Sequence, residues 1–263
     1  MPLTPASALL TDRLVLVTGA AQGIGAAVAG ACARFGADLA VCDRDADGLA
    51  RTAADVEAAG RRARTAVLDV RDADAVRDWV GALPRLDVLV NNAGGGFRAA
   101  FLDVNDKGQD SLVRENFTSV THFVRAAVPL MAADGRASII NITSIEAHRA
   151  APGFAIYSAM KAALVSLTKS LALELGDRRI RVNCVAPDVI PTPGIGGDVG
   201  VKTPLPVAGH ADDVAGAVVF LASDLGRFVT GTTIHVDGGN LAAGGWGRAG
   251  DGSWVTAGEE AVS

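Results

Sequence analysis

Seven short apolar runs, separated by longer stretches of helical pattern, constrain this chain more than any other feature. The runs fall at 14–18, 38–42, 63–68, 86–91, 138–143, 181–186 and 232–236, and they are nearly continuous Val, Leu, Ile and Ala. A strand with one wet face alternates apolar and polar residues, whereas a strand covered on both faces does not. Interleaved with helices, such strands read as a parallel sheet with helices on both faces. Right-handed crossovers then leave an α/β, Rossmann-type doubly wound parallel sheet of about seven strands. Helices are expected at 23–35, 45–59, 72–81, 106–133, 155–175 and 211–223. No internal repeat or linker divides the 263 residues, so one domain spanning 1–263 is expected. Within it, 1–12 is an N-terminal extension, 187–210 a lid and 240–263 a C-terminal tail.

Composition narrows the function. Hydrophobic residues make up 49% and charged residues 20%, the balance of a globular protein rather than a disordered one. No apolar run approaches the roughly 18 residues of a membrane span. The first twelve residues hold no Lys or Arg, so a secretory signal is not expected and the location is read as cytoplasmic. A net charge of -5 argues against a nucleic-acid partner, because phosphate binding needs a basic face. The cluster Arg61, Arg62 and Arg64 sits at a helix-to-strand turn and reads as solvated. Cys32, Cys42 and Cys184 lie in apolar stretches, as buried reduced thiols do. His122, His148, His210 and His235 lack ligand spacing, and no metal site is assigned.

In a doubly wound sheet the ligand sits beyond the carboxyl ends of the strands, where their order reverses. Gly19, Asp43, Asp69, Asn91 to Gly94, Ser144 and Pro187 all fall at or just after expected strand ends. The loop Gly19, Gln22, Gly23, Ile24 and Gly25 follows the first strand and opens a helix. Glycines there let a pyrophosphate approach the helix N-terminus, where free N–H groups and the dipole favour an anion. Asp43 ends the second strand, eighteen residues past Gly25, near the offset of the acid that binds an adenosine ribose. Its carboxylate accepts from ribose hydroxyls and repels a 2′-phosphate, which predicts NAD over NADP. Arg44 next door is the one feature that favours a phosphate, and neither Ala21 nor Gln22 adds positive charge. Asp69 and Val70 are expected to hold the adenine amino group and cover its ring, with a helix N-cap as the alternative use of Asp69.

Tyr157 and Lys161 stand four residues apart in a helix-forming stretch, so both share one face. An ammonium beside a phenol favours the phenolate and brings its pKa towards working pH, making Tyr157 a proton donor or acceptor. Ser144, thirteen positions earlier at the end of a strand, can hydrogen-bond a substrate carbonyl or hydroxyl.

The glycine loop, Asn91 to Gly94 with Ala93, Asn116, Ser144 and Tyr157-x-x-x-Lys161 occur in this order. With them the chain resembles the short-chain dehydrogenase/reductase family, in its compact single-domain branch, over about 13–239. The resemblance implies that Tyr157 is the general acid in carbonyl reduction and the base in alcohol oxidation. It implies that Lys161 binds the nicotinamide ribose, that Ser144 orients the substrate oxygen and that Asn116 holds a water in the proton relay. Pro187, Ile190 and Thr192 match positions that place the nicotinamide carboxamide. The family usually has Gly after that proline, whereas this chain has Asp188, which either restricts the backbone or brings a carboxylate near the cofactor.

The expected activity is NAD(H)-dependent interconversion of a secondary alcohol and a ketone. The alternatives are an NADP(H)-dependent 3-oxoacyl-thioester or polyketide ketoreductase and a catalytically silent nucleotide-binding regulator. An epimerase or dehydratase of the longer branch is disfavoured, since the chain lacks the added substrate domain. Ile145, Glu146, Phe97, Phe154 and Ile195 are candidate pocket walls. The tail, with Trp246 and Trp254, is either docked on a neighbouring subunit or disordered. The resemblance suggests a homotetramer paired through the helices that carry Asn116 and Tyr157.

Overall fold

The computed structural model describes residues 2–193, 203–249 and 253–256. Its first half runs β1 (Leu14–Thr18), α1 (Gly23–Arg34), β2 (Asp38–Asp43), α2 (Ala46–Ala58), β3 (Ala63–Val67), α3 (Ala73–Gly81) and β4 (Val88–Asn91). The second half runs α4 (Asp106–Val113), α5 (Ser119–Ala127), β5 (Ser138–Ile142), α6 (Ala155–Glu174), β6 (Arg181–Pro187), α7 (Ala211–Ala222) and β7 (Thr233–Val236). The seven strands form one parallel sheet in the order β3-β2-β1-β4-β5-β6-β7. Each lies within two residues of its expected bounds. The order reverses between β1 and β4, which puts the ligand crevice beyond their carboxyl ends.

Alternation along β1 explains the two apolar layers. Val15 and Val17 join Val28, Leu39, Val214 and Val218 in one, while Leu14 and Leu16 join Leu89, Phe123, Ile139 and Leu164 in the other. All five β1 residues are buried, as the unbroken apolar run requires. At the sheet edge, by contrast, β3 leaves Val67 61% exposed.

The helix expected over 106–133 does not form as one piece. Between α4 and α5 the backbone widens into a π-helical turn, Arg114–Thr118, and after α5 it tightens into a 3₁₀ turn, Val128–Leu130. Pro129 in that second turn has no N–H to continue the ladder. Such π turns recur at functional positions, and this one carries Asn116.

The extension at the N-terminus contributes to the core. Leu10 is fully buried, and its N–H donates to the Phe35 carbonyl at 2.7 Å. After β7 come α8 (Asn240–Ala243) and an antiparallel ribbon of β8 (Trp246–Arg248) and β9 (Trp254–Thr256). The expected tail is thus ordered over these segments, with 250–252 and 257–263 outside the described residues. Among the described residues no helix is long and apolar enough to cross a membrane.

Candidate active site

Close backbone contact builds the nucleotide end. Gly19 follows β1 with φ +65°, and a Cβ there would sit 2.8 Å from the Ala93 Cα, so a side chain would push the two strand ends apart. Thr18 and Asn92 stitch those ends together. The Thr18 hydroxyl accepts from the Asn92 and Ala93 N–H groups at 3.0 and 2.9 Å. The Asn92 amide donates to the Thr18 and Gly19 carbonyls at 3.0 and 2.9 Å. Gly25 lies in the first turn of α1, where a Cβ would come 2.1 Å from the Gly19 carbonyl oxygen; its work is to seat the helix on the loop. The α1 N-cap, Gln22, makes no side-chain cap, which leaves first-turn N–H groups available to an anion.

Asp43 ends β2 with its carboxylate held in place. It accepts the Ala21 N–H at 3.0 Å through one oxygen and the Asp45 N–H at 3.1 Å through the other. Asp69 lines the cleft and has a charged neighbour. Arg71, which sequence reasoning passed over, grips it through Nε and Nη2 at 2.9 and 2.6 Å and holds its carboxyl down to about 2. The N-cap of α3 is Asp72, not Asp69.

One cleft of about 620 Å³ joins this end to the proton-handling residues. Gly19, Gln22, Gly23, Ile24, Asp43 and Arg44 line it, as do Asp69, Val70, Ala93 and Gly94. Ser144, Tyr157 and Lys161 line it too, beside Pro187, Ile190 and Thr192. Three expected site residues stand behind the wall. Gly25 supports the loop as described. Asn91 is buried in β4, where its amide donates to Asn141 Oδ1 at 2.8 Å.

The third is Asn116, which is fully buried. Its amide donates to the carbonyls of Gly95 and Leu112 at 2.8 and 3.0 Å, and its oxygen accepts the Gly95 N–H at 3.1 Å. The side chain is therefore bound to the Gly95 backbone, in the irregular segment that follows β4. Gly94 makes this approach feasible, since a Cβ there would lie 2.7 Å from Asn116 Oδ1 and 3.1 Å from Lys161 Nζ.

Ser144 follows β5 and caps a 3₁₀ turn, Ile145–Ala147, its Oγ accepting the Glu146 N–H at 3.1 Å. Tyr157 and Lys161 share one face of α6, with the ammonium 5.5 Å from the centre of the phenol ring. Lys161 donates to the Ile142 carbonyl at 3.1 Å, and burial brings its pKa down to about 8. The expected lowering of the phenol is absent from the protein alone. Burial pushes Tyr157 above its ordinary value, the Ser144 hydrogen bond opposes this, and the Glu146 carboxylate adds to the rise.

Of the expected walls, Glu146 and Phe154 line the cleft. Ile145 is instead fully buried in the protein interior, and Phe97 borders a separate small hollow behind Tyr157. Ile195 and the lid segment 194–202 lie outside the described residues. Asp188 lines the cleft as a carboxylate, without the left-handed backbone that would favour glycine. Arg149 and Asn240, both in contact with Asp188, went unnoticed in the sequence because nothing local marks them.

A glycine cradle for a dinucleotide that shares one cleft with a phenol, an ammonium and a hydroxyl defines an oxidoreductase acting on a CH–OH group. The chain belongs to the short-chain dehydrogenase/reductase family. A family model described as enoyl-(acyl carrier protein) reductase matches residues 19–240. Gluconate 5-dehydrogenase of Gluconobacter oxydans is 37% identical over 243 residues, 88% of this chain and 95% of that protein. Carveol dehydrogenase of Mycobacterium avium, solved in complex with NAD, is 31% identical with a TM-score of 0.82 over 89% of this chain and 99% of that one. A candidate NAD(P)-dependent gluconate 5-dehydrogenase of Beutenbergia cavernae, with NADP at low occupancy, is 32% identical with a TM-score of 0.84 over 90% and 99%.

Proposed function

We propose that this chain is an NAD(H)-dependent oxidoreductase that interconverts a secondary alcohol and a ketone. The observation that carries the reading is the single cleft shared by the glycine loop, Asp43, Ser144, Tyr157 and Lys161. The uncapped N-terminus of α1, opened by Gly19 and Gly23, fits a pyrophosphate. A nicotinamide dinucleotide supplies or takes up the hydride. The protein handles the proton and the charge. Ser144 orients the substrate oxygen by hydrogen bonding, and Tyr157 gives that oxygen a proton in reduction or removes one in oxidation. Lys161 lies beside the ring, and an ammonium in that position favours the phenolate, against the burial that raises the phenol.

Asp43 supports NAD over NADP. Its carboxylate is fixed on the cleft wall by two backbone N–H groups and would face a 2′-phosphate with like charge. Arg44 on the same wall is the observation that favours the second reading, an NADP(H)-dependent ketoreductase. Steady-state kinetics with both cofactors on a panel of secondary alcohols and ketones tests the assignment. A kcat/KM preference for NADP sinks it, and no turnover of any alcohol or ketone sinks the oxidoreductase reading.

We place the enzyme in the cytoplasm as a homotetramer acting on a small molecule. The family resemblance supports this assembly, as do exposed apolar side chains such as Leu173 and Phe228, 85% and 100% accessible in the single chain. A monomer by sedimentation would overturn it.

A further inference from the structure

The substrate end of the cleft carries a polar brace beyond Ser144, Tyr157 and Lys161. Glu146 stands two residues past Ser144, Asp188 directly follows β6, and both line the cleft. Arg149 ties them together. Its Nη2 lies 2.8 Å from Glu146 Oε1 and 3.9 Å from Asp188 Oδ1. Asn240, the first residue of α8, donates its amide to the other Asp188 oxygen at 2.7 Å. The Asp188 and Glu146 side chains are only 10% and 24% exposed, so both carboxylates are held on the wall with little water around them.

Two carboxylates share one guanidinium, and the group carries a net negative charge. Asp237 adds to the negative potential felt by Arg149. Lys161, the cation nearest the reacting oxygen, is committed to the Ile142 carbonyl. Carboxylates accept hydrogen bonds and do not donate them, and each has lone pairs beyond those its partners occupy. Such a wall binds hydroxyl groups and disfavours a second anion, the more strongly for being poorly hydrated.

We propose that Glu146, Arg149, Asp188 and Asn240 form a specificity brace that selects an uncharged, polyhydroxylated substrate, with hydroxyls beside the reacting carbinol, and rejects anionic ones. Glu146 and Asp188 accept from those hydroxyls. Arg149 and Asn240 are positioning residues that hold the two carboxylates in place. The usual glycine in place of Asp188 would remove one of these acceptors and leave Asn240 without its partner. The proposal rests on the oxidoreductase reading.

The test compares xylitol, its anionic counterpart xylonate and unadorned 2-butanol as substrates with NAD. Xylitol is expected to exceed xylonate in kcat/KM by about tenfold or more, since like-charge juxtaposition is costly. Glu146→Gln and Asp188→Asn should each shift that ratio towards xylonate by about tenfold. Added salt should narrow the gap in the unaltered enzyme, a measurement independent of any variant's folding. Arg149→Gln should raise KM for xylitol more than it lowers kcat, with partial rescue by Arg149→Lys. Several results overturn the brace alone: xylonate used as well as xylitol, 2-butanol oxidised while xylitol is not, or a ratio unmoved by salt and by both carboxylate variants. An Arg149→Gln enzyme that loses thermal stability with KM unchanged overturns the positioning role. No turnover of any alcohol, with dinucleotide binding intact, overturns the oxidoreductase reading and the brace with it.

Discussion

The two ends of the cleft are made by different means. At the nucleotide end, beyond β1 and β2, backbone does the shaping: Gly19 and Gly25 permit close contact, and Asp43 is held by N–H groups of its own neighbourhood. At the substrate end, beyond β5 and β6, side chains far apart in sequence meet, as when Asp188 takes partners from Arg149 and Asn240. A binding surface of backbone and glycine suits a ligand whose shape does not vary. One of long charged side chains can be changed residue by residue without disturbing the sheet. Under the proposed function, the contrast puts dinucleotide binding at one end and the choice of substrate at the other.

The comparison can be broken experimentally, and the largest effect should come where the ends meet. Tyr157→Phe removes the proton donor and should cut kcat by about 10³-fold, with NADH affinity, read by fluorescence titration, nearly intact. Retained turnover would separate the phenol from the chemistry. Next comes Gly25→Ala, whose added Cβ would lie 2.1 Å from the Gly19 carbonyl oxygen. It should destabilise the fold by about 1–3 kcal/mol in thermal or denaturant unfolding and weaken dinucleotide binding. A smaller and selective change is expected from Asp43→Asn, which should shift the NADP to NAD ratio of kcat/KM by about tenfold while leaving substrate KM alone.

Lys161 gives a pH signature. Its folded pKa, about 8, lies below the ordinary 10.5, so between those values the unfolded chain holds a proton that the folded one does not. Stability therefore carries the full cost of burying the ammonium below pH about 8 and recovers it as pH rises to the unfolded value. The difference between unmodified protein and Lys161→Met in unfolding free energy should change across this window in that sense; a flat difference would refute the shift. The smallest effect belongs to the partly exposed pair at the substrate end. Arg149→Ala should cost under about 1 kcal/mol of stability, because water screens such ion pairs, whatever it does to KM.

The amino-acid sequence alone carried the sheet, its strand bounds and the residues of the nucleotide end. Each of those depends on a pattern within one strand, loop and helix: an apolar run, a glycine spacing, an acid at a strand end, Tyr157 and Lys161 one helical turn apart. Parts of the helical layer were less legible. The 106–133 pattern is apolar enough for one helix, whereas the π turn that buries Asn116 packs against α6 and hydrogen-bonds the irregular segment at Gly95, contacts a local pattern does not register. Asp69 was recognisable as a strand-end acid, yet its partner Arg71 was not.

Tertiary structure alone decided three things. It raised rather than lowered the Tyr157 phenol, because burial is a property of the folded surroundings and the Lys161 spacing is silent about it. It ordered part of the tail into a ribbon after Asn240 and joined that residue to Asp188, across 52 positions of chain. It gathered Glu146 and Asp188 on one wall with Arg149 between them. Local patterns set which residues can form a strand, a cradle or a helix face, because those geometries repeat within a few residues. Solvent access and long-range pairing depend on where the rest of the chain comes to lie, and these govern the substrate end.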